Sequence, residues 1–229
     1  MSTTQTSSVA RPAPTSSFRL VGTLGLIALF SGLLVVSVFE FTKPYIEENQ
    51  RRALEAAVFQ VVPGAVSRQD YVLTAEGLFP AAEAPAPGQR VFAAYDAEGS
   101  LRGIALQASA RGYADVIRVL YGYDPSCECI IGMTVLETRE TPGLGDKIET
   151  DARFVANFER LDARLNPTGT GLANAIVTVK QGHKEQPWEI DGITGATISA
   201  NAIGRMLSDS ADTVLPRLVP YWTVLEGGA

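Results

Sequence analysis

Few residues in this chain could carry chemistry, and their scarcity narrows what it can do. It has one histidine, His183, and two cysteines, Cys127 and Cys129. A four-ligand zinc site or a self-contained iron–sulfur cluster would need heavy use of carboxylates, and Cys–His nucleophilic catalysis is equally poorly served. His183 sits in the polar stretch QGHKEQP and reads as a solvated side chain. The C-x-C pair reads as free or buried thiols, because a disulfide between residues i and i+2 would be strained. Trp188 and Trp222 read as core or interface aromatics. Asp191 and Glu140 have no acid–base partner at a readable spacing, so a secreted acid–base enzyme is not supported.

What remains are two glycine-rich segments, Glu140-Thr141-Pro142-Gly143-Leu144-Gly145 and Asp191-Gly192-Ile193-Thr194-Gly195-Ala196-Thr197. In the first, Pro142 fixes one φ and two glycines permit positive φ, so the backbone can turn sharply and approach a planar or anionic ligand. A tight connection between two elements would use the same residues. In the second, a hydroxyl-rich turn runs straight into a helical pattern, NAIGRMLSDSADTV, and the unpaired N–H groups of the helix start face the turn. That arrangement receives phosphate. Plain capping by Thr194 or Thr197, with Ser199 and Asn201 in the first turns, fits as well.

These segments need a scaffold, and the chain supplies one. Of 229 residues, 46% are apolar and 19% charged, which suits one globular domain with an appendage. Nineteen Lys and Arg against twenty-five Asp and Glu give a net charge of −6, so the basic field that nucleic acid requires is missing. From Leu20 to Phe39 no residue carries a formal charge. At about 1.5 Å per residue such a helix covers the ~30 Å of a bilayer core. Phe39 spoils a small-x-small cleavage site, which points to an uncleaved anchor. Arg11 and Arg19 before it are matched by Lys43, Arg51 and Arg52 after it, so charge does not orient the anchor. A short Ser/Thr/Pro-rich tail ahead of a long domain favours the domain outside the cytoplasm.

The expected organisation is a disordered cytoplasmic tail over 1–19, a transmembrane helix over 20–39, a stalk helix over 40–64 begun by Pro44, and a ligand-binding domain over 65–229. Alternating strands separated by DAEG and DPSCE turns predict an antiparallel meander from Arg90 to Arg139. Helical signal returns at Asp151–Leu161, a strand pair follows in AIVTVK and WEIDG, and a helix starts near Ala196. The fold class is α+β: an antiparallel sheet with helices packed on one side or end, preceded by one N-terminal transmembrane helix.

DGITGAT at Asp191–Thr197 is similar to the flavinylation motif D-G/A-x-S/T-G-A-T. That motif belongs to the FMN-binding domain shared by the G subunit of the Rnf electron-transport complex and the C subunit of the sodium-pumping NADH:quinone oxidoreductase. The family's E-T-P-G-L-G stands intact at Glu140–Gly145, and its G-Y ahead of a strand stands at Gly112-Tyr113. The resemblance covers about Leu20 to Leu218, and the D-K-I after Gly145 resembles the Rnf protein more than its quinone-reductase relative. It implies FMN held by a phosphoester to Thr197, attached by a separate flavin transferase that uses FAD and magnesium, with Tyr113 near the isoalloxazine. It also implies partner membrane subunits in an inner-membrane complex that couples electron transfer between ferredoxin and NAD to ion movement. On that reading the chain is a redox component rather than a complete enzyme. The alternatives are the quinone-reductase relative and a membrane-tethered flavin-binding or sensory module without catalysis.

Overall fold

The computed structural model describes residues 17–227. Most of the expected 1–19 tail therefore lies outside the described residues. Two compact units divide between Arg51 and Arg52. Helix α1 (Ser17–Val61) supplies all of the described first unit. Its apolar side chains, among them Leu24, Ile27, Phe30, Leu34 and Phe39, are exposed on every side, and the segment is long and apolar enough to cross a membrane. Pro44, expected to start a separate stalk, lies inside α1. It removes one N–H from the ladder and leaves the others. Just before it, the Thr42 hydroxyl donates to the carbonyls of Val38 and Phe39 at 2.9 and 3.2 Å, adding side-chain bonds where the ladder is weakened.

The second unit is built on a seven-stranded antiparallel sheet. Its strands are β1 (Ser67–Leu73), β2 (Leu78–Pro80), β3 (Gln89–Tyr95), β4 (Leu101–Arg111), β5 (Val116–Asp124), β6 (Cys129–Glu137) and β7 (Leu161–Asp162). They lie in the order β2-β1-β3-β4-β5-β6-β7. The expected meander is β3 to β6; β1 and β2 extend it on one edge. Between β6 and β7 come the short helices α2 (Lys147–Thr150) and α3 (Ala152–Val155), the latter continuing as a 3-10 turn over Ala156–Phe158 where one helix was expected. The Asp151 side chain accepts from Arg153 N and so starts a new helix at α3.

β8 (Val177–Val179) and β9 (Glu189–Asp191) pair in parallel and lead into α4 (Thr197–Leu218), with α5 (Trp222–Glu226) at the end. Successive residues of a strand face opposite ways, and in β3 both sets are buried. Val91, Ala93 and Tyr95 join Ile104, Tyr121 and the α4 residues Ala200, Ile203 and Leu207. Phe92 and Ala94 face the other way and pack with Ala57, Val58 and Val61 from the last turns of α1. Each of the larger side chains contributes about 1.5–3 kcal/mol by leaving water. Coverage of both faces explains why RVFAAY and GIAL are nearly continuous apolar runs rather than alternating ones. Trp222 stacks on Tyr123 with ring centroids 6.2 Å apart.

Cys127 and Cys129 are not free thiols: they are joined in a disulfide, with Cα atoms 5.2 Å apart. Glu128 between them has φ +51, so the chain turns instead of extending and brings the two Cβ atoms within bonding reach. The expectation took a bridge between residues i and i+2 as strained; the turn at Glu128 accommodates it.

Candidate functional site

Both glycine-rich segments and the Gly112-Tyr113 turn converge on one cavity of about 300 Å³. From the β4–β5 turn comes Tyr113; from the loop after β6 come Glu140, Thr141, Leu144 and Gly145. Gly195, Ala196 and Thr197 close the third side, together with Ile198 and Ser199 of the first turn of α4. Tyr113, Leu144 and Ile198 are 68%, 52% and 51% exposed, so the mouth offers apolar surface to solvent. Such a cavity, apolar with a few convergent polar groups, is the usual form of a small-molecule site.

The helix start carries no side-chain cap: the residue ahead of α4 is Ala196. Thr194 is engaged elsewhere: its N–H and its hydroxyl both donate to Gln181 Oε1, at 3.2 and 2.7 Å. The first helical bond runs from Ala200 N to Ala196 O at 2.9 Å. The N–H groups of Thr197, Ile198 and Ser199 therefore precede the intrahelical ladder at the positive end of the helix dipole, beside the cavity. Thr197 itself is exposed. Gly195 has φ +89, a conformation that places Ala196 and Thr197 at the cavity edge and that residues with side chains rarely adopt.

Other predicted positions build the frame rather than the lining. Thr141 O accepts from the N–H of Leu144 and of Gly145, so Pro142 and Gly143 form the outer bend of that turn. Asp191 Oδ1 accepts from Gly182 N at 2.6 Å, tying the end of β9 to the loop before it. Gly112 lies behind the acid: a Cβ there would come within 2.5 Å of Glu140 Oε1.

The sequence reading did not find Asn157. It is buried, donates from Nδ2 to the carbonyls of Phe154 and Asp191, and accepts at Oδ1 from Asp191 N and from Lys184 Nζ at 3.1 Å. It thereby fixes Asp191, where the loop leading to Thr197 begins. Partial burial lowers the Lys184 pKa, opposed by the charges of Asp191 and Glu189. Gln181 and Ile198 were also missed. Ile198 follows the motif directly, and adjacency to Thr197 was the available signal. Asn157 and Gln181 had none, being remote in sequence.

The geometry gives a domain with a small-molecule-sized cavity and, ahead of it in the chain, a helix long and apolar enough to cross a membrane; comparison with known proteins gives its class. Residues 112–212 match the FMN-binding domain family and residues 13–61 match the RnfG N-terminal region. The G subunit of the ion-translocating oxidoreductase complex of Pasteurella multocida is 32% identical over 199 residues, covering 85% of this chain and 92% of that protein. Its counterpart in Haemophilus influenzae is 30% identical over 192 residues, covering 82% and 85%. The chain belongs to this family, the G subunits of ion-translocating oxidoreductase complexes. Its fold is that of Shewanella oneidensis NqrC, with a TM-score of 0.59 at 18% identity, over 79% of this chain and 100% of that one. The C subunit of the Na(+)-translocating NADH-quinone reductase of Parabacteroides distasonis has the same fold, with a TM-score of 0.55 at 18% identity, over 78% and 94%.

Proposed function

We propose that this chain is the membrane-anchored electron carrier of an Rnf-type complex, with FMN joined through its phosphate to Thr197 Oγ. The observation that carries the reading is Thr197, exposed at an uncapped helix start on the edge of a cavity built by three family motifs. The residues fit the group. The first-turn N–H groups of α4 would face a phosphodiester, whose single negative charge suits the helix N-terminus. Tyr113, Leu144 and Ile198 would cover a planar apolar ring. FMN, when bound, supplies the redox chemistry; the protein supplies position, shielding from water and local charge. Attachment requires a flavin transferase, and electrons pass to and from neighbouring subunits, so the chain alone completes no reaction.

Thr197→Ala tests the reading. In-gel flavin fluorescence after denaturing electrophoresis should vanish while the melting temperature stays close to that of the unmodified protein. Retained covalent flavin in this variant overturns the assignment.

The proposed orientation puts the second unit on the periplasmic side of the inner membrane. The Cys127–Cys129 disulfide supports it, because such bonds persist in oxidising compartments. Ser7→Cys and Gly227→Cys, each in a Cys127→Ser/Cys129→Ser background, should respond differently to a membrane-impermeant thiol reagent on intact cells. Labelling at 227 and not at 7 is expected; the reverse places the flavin in the cytoplasm.

A further inference from the structure

We propose that Glu140 and Ser199 form a buried latch that holds the three walls of the cavity together and sets the charge met by an electron entering it. The electrochemical half rests on the flavin reading above; the structural half rests on geometry alone. Glu140 is 6% exposed and Ser199 1%, an unusual pair of polar residues in an apolar interior. Glu140 Oε2 accepts from Ser199 Oγ at 2.6 Å, and Oε1 accepts from Ala114 N at 3.0 Å. One side chain thus joins the β4–β5 turn, the loop after β6 and the first turn of α4, the three elements that line the cavity.

Both oxygens lie where they can accept, so an ionised carboxylate would be satisfied there. The Ser199 contact lies in the range of roughly 2.5–2.7 Å expected of a hydroxyl on a carboxylate. Arg139, next in sequence, pairs with Asp115 at 3.5 Å. The charge is instead offset by two hydrogen bonds and by the N-terminal turn of α4. The surroundings are cut to fit it: a Cβ at Gly112 would stand 2.5 Å from Oε1, and one at Gly145 2.5 Å from Oε2. A negative charge in the wall opposes every electron added to a group in the cavity, and the Ser199 bond moderates that opposition. Removing the charge and removing the donor must therefore move the flavin in opposite directions, whereas a merely structural bond would move both variants alike.

The test uses the full-length protein in two forms. Made with the flavin transferase, it is titrated at pH 8 with dithionite and redox mediators while the flavin absorbance is followed. Glu140→Gln, which keeps the shape and an acceptor for Ala114 N, should raise the ratio of reduced to oxidised flavin at fixed potential by about tenfold. Ser199→Ala should lower it by about threefold. Shifts of the same sign, or none, overturn the charge role. Made without the transferase, the protein is followed by hydrogen exchange and mass spectrometry. Ser199→Ala should speed exchange in the 112–116 turn as well as in the first turn of α4. Acceleration confined to α4 overturns the latch. If the unmodified protein carries no covalent flavin, the flavin reading falls, and the exchange experiment still decides the latch.

Discussion

The two glycine-rich loops look alike in sequence and meet at one cavity, yet the glycine that each puts against it, Gly145 or Gly195, serves different physics. At Gly145 the constraint is space: a Cβ would sit 2.5 Å from Glu140 Oε2 and 2.7 Å from Glu140 Cβ. At Gly195 the constraint is conformation: φ is +89, and no described atom lies within 4 Å of where a Cβ would be. Around Gly145 the loop after β6 is therefore a fitted wall against a buried acid. Around Gly195 the loop after β9 is an open platform that displays a hydroxyl. Glycine content reveals neither role; only the surrounding atoms separate them.

That difference can be broken by substitution. Gly145→Ala carries the largest expected effect, about 1–3 kcal/mol of destabilisation from overpacking, because Glu140 Cβ has little freedom to retreat. Gly195→Ala should cost about 1–2 kcal/mol through the left-handed backbone alone. Urea unfolding of the flavin-free protein measures both. Asparagine sharpens the contrast, since it tolerates positive φ but not lack of room. Gly195→Asn should recover most of the lost stability, and Gly145→Asn should lose more. Equal behaviour at the two positions would show that one physical constraint governs both loops.

What the sequence revealed and what it hid follow the same division between local and remote. Strands β3 to β6 were legible because each is an apolar run bounded by turn residues. The start of α4 was legible because the helical period begins directly after Gly195. β1 escaped notice because SRQDYVL lacks clear alternation; its pairing with β3 from Ser67 to Leu73 holds it in place. The continuation of α1 through Pro44 was hidden because the proline removes only one bond from a long ladder. Glu140 was picked out by its motif, but its partner Ser199 stands 59 residues away and was read only as a first-turn residue. Asn157 binds Asp191 across 34 residues, and no local pattern marks an asparagine that caps another segment's backbone. Motifs showed which segments matter, while the side chains that hold those segments together had to be seen in space.

The smallest expected effect concerns the open platform and its outer support. Gln181 Oε1 accepts from both the N–H and the hydroxyl of Thr194. Both bonds are on the exposed side of the loop, where water can replace a lost partner, so Gln181→Ala should cost only about 0.5–1.5 kcal/mol. Its effect on flavin attachment should be larger in proportion, because Thr194 lies in the same short loop as Thr197 and a looser loop presents the hydroxyl less often in one position. Flavin loading should therefore slow by a few fold at limiting transferase and still reach completion at long times. A time course of in-gel fluorescence separates rate from yield. The fitted wall makes a different prediction: Ser199→Ala, on the buried side of the same helix start, should disturb the flavin's potential and slow attachment less than Gln181→Ala does. If Gln181→Ala lowered the final yield, or Ser199→Ala slowed attachment as much as Gln181→Ala does, platform and wall would be one cooperative unit.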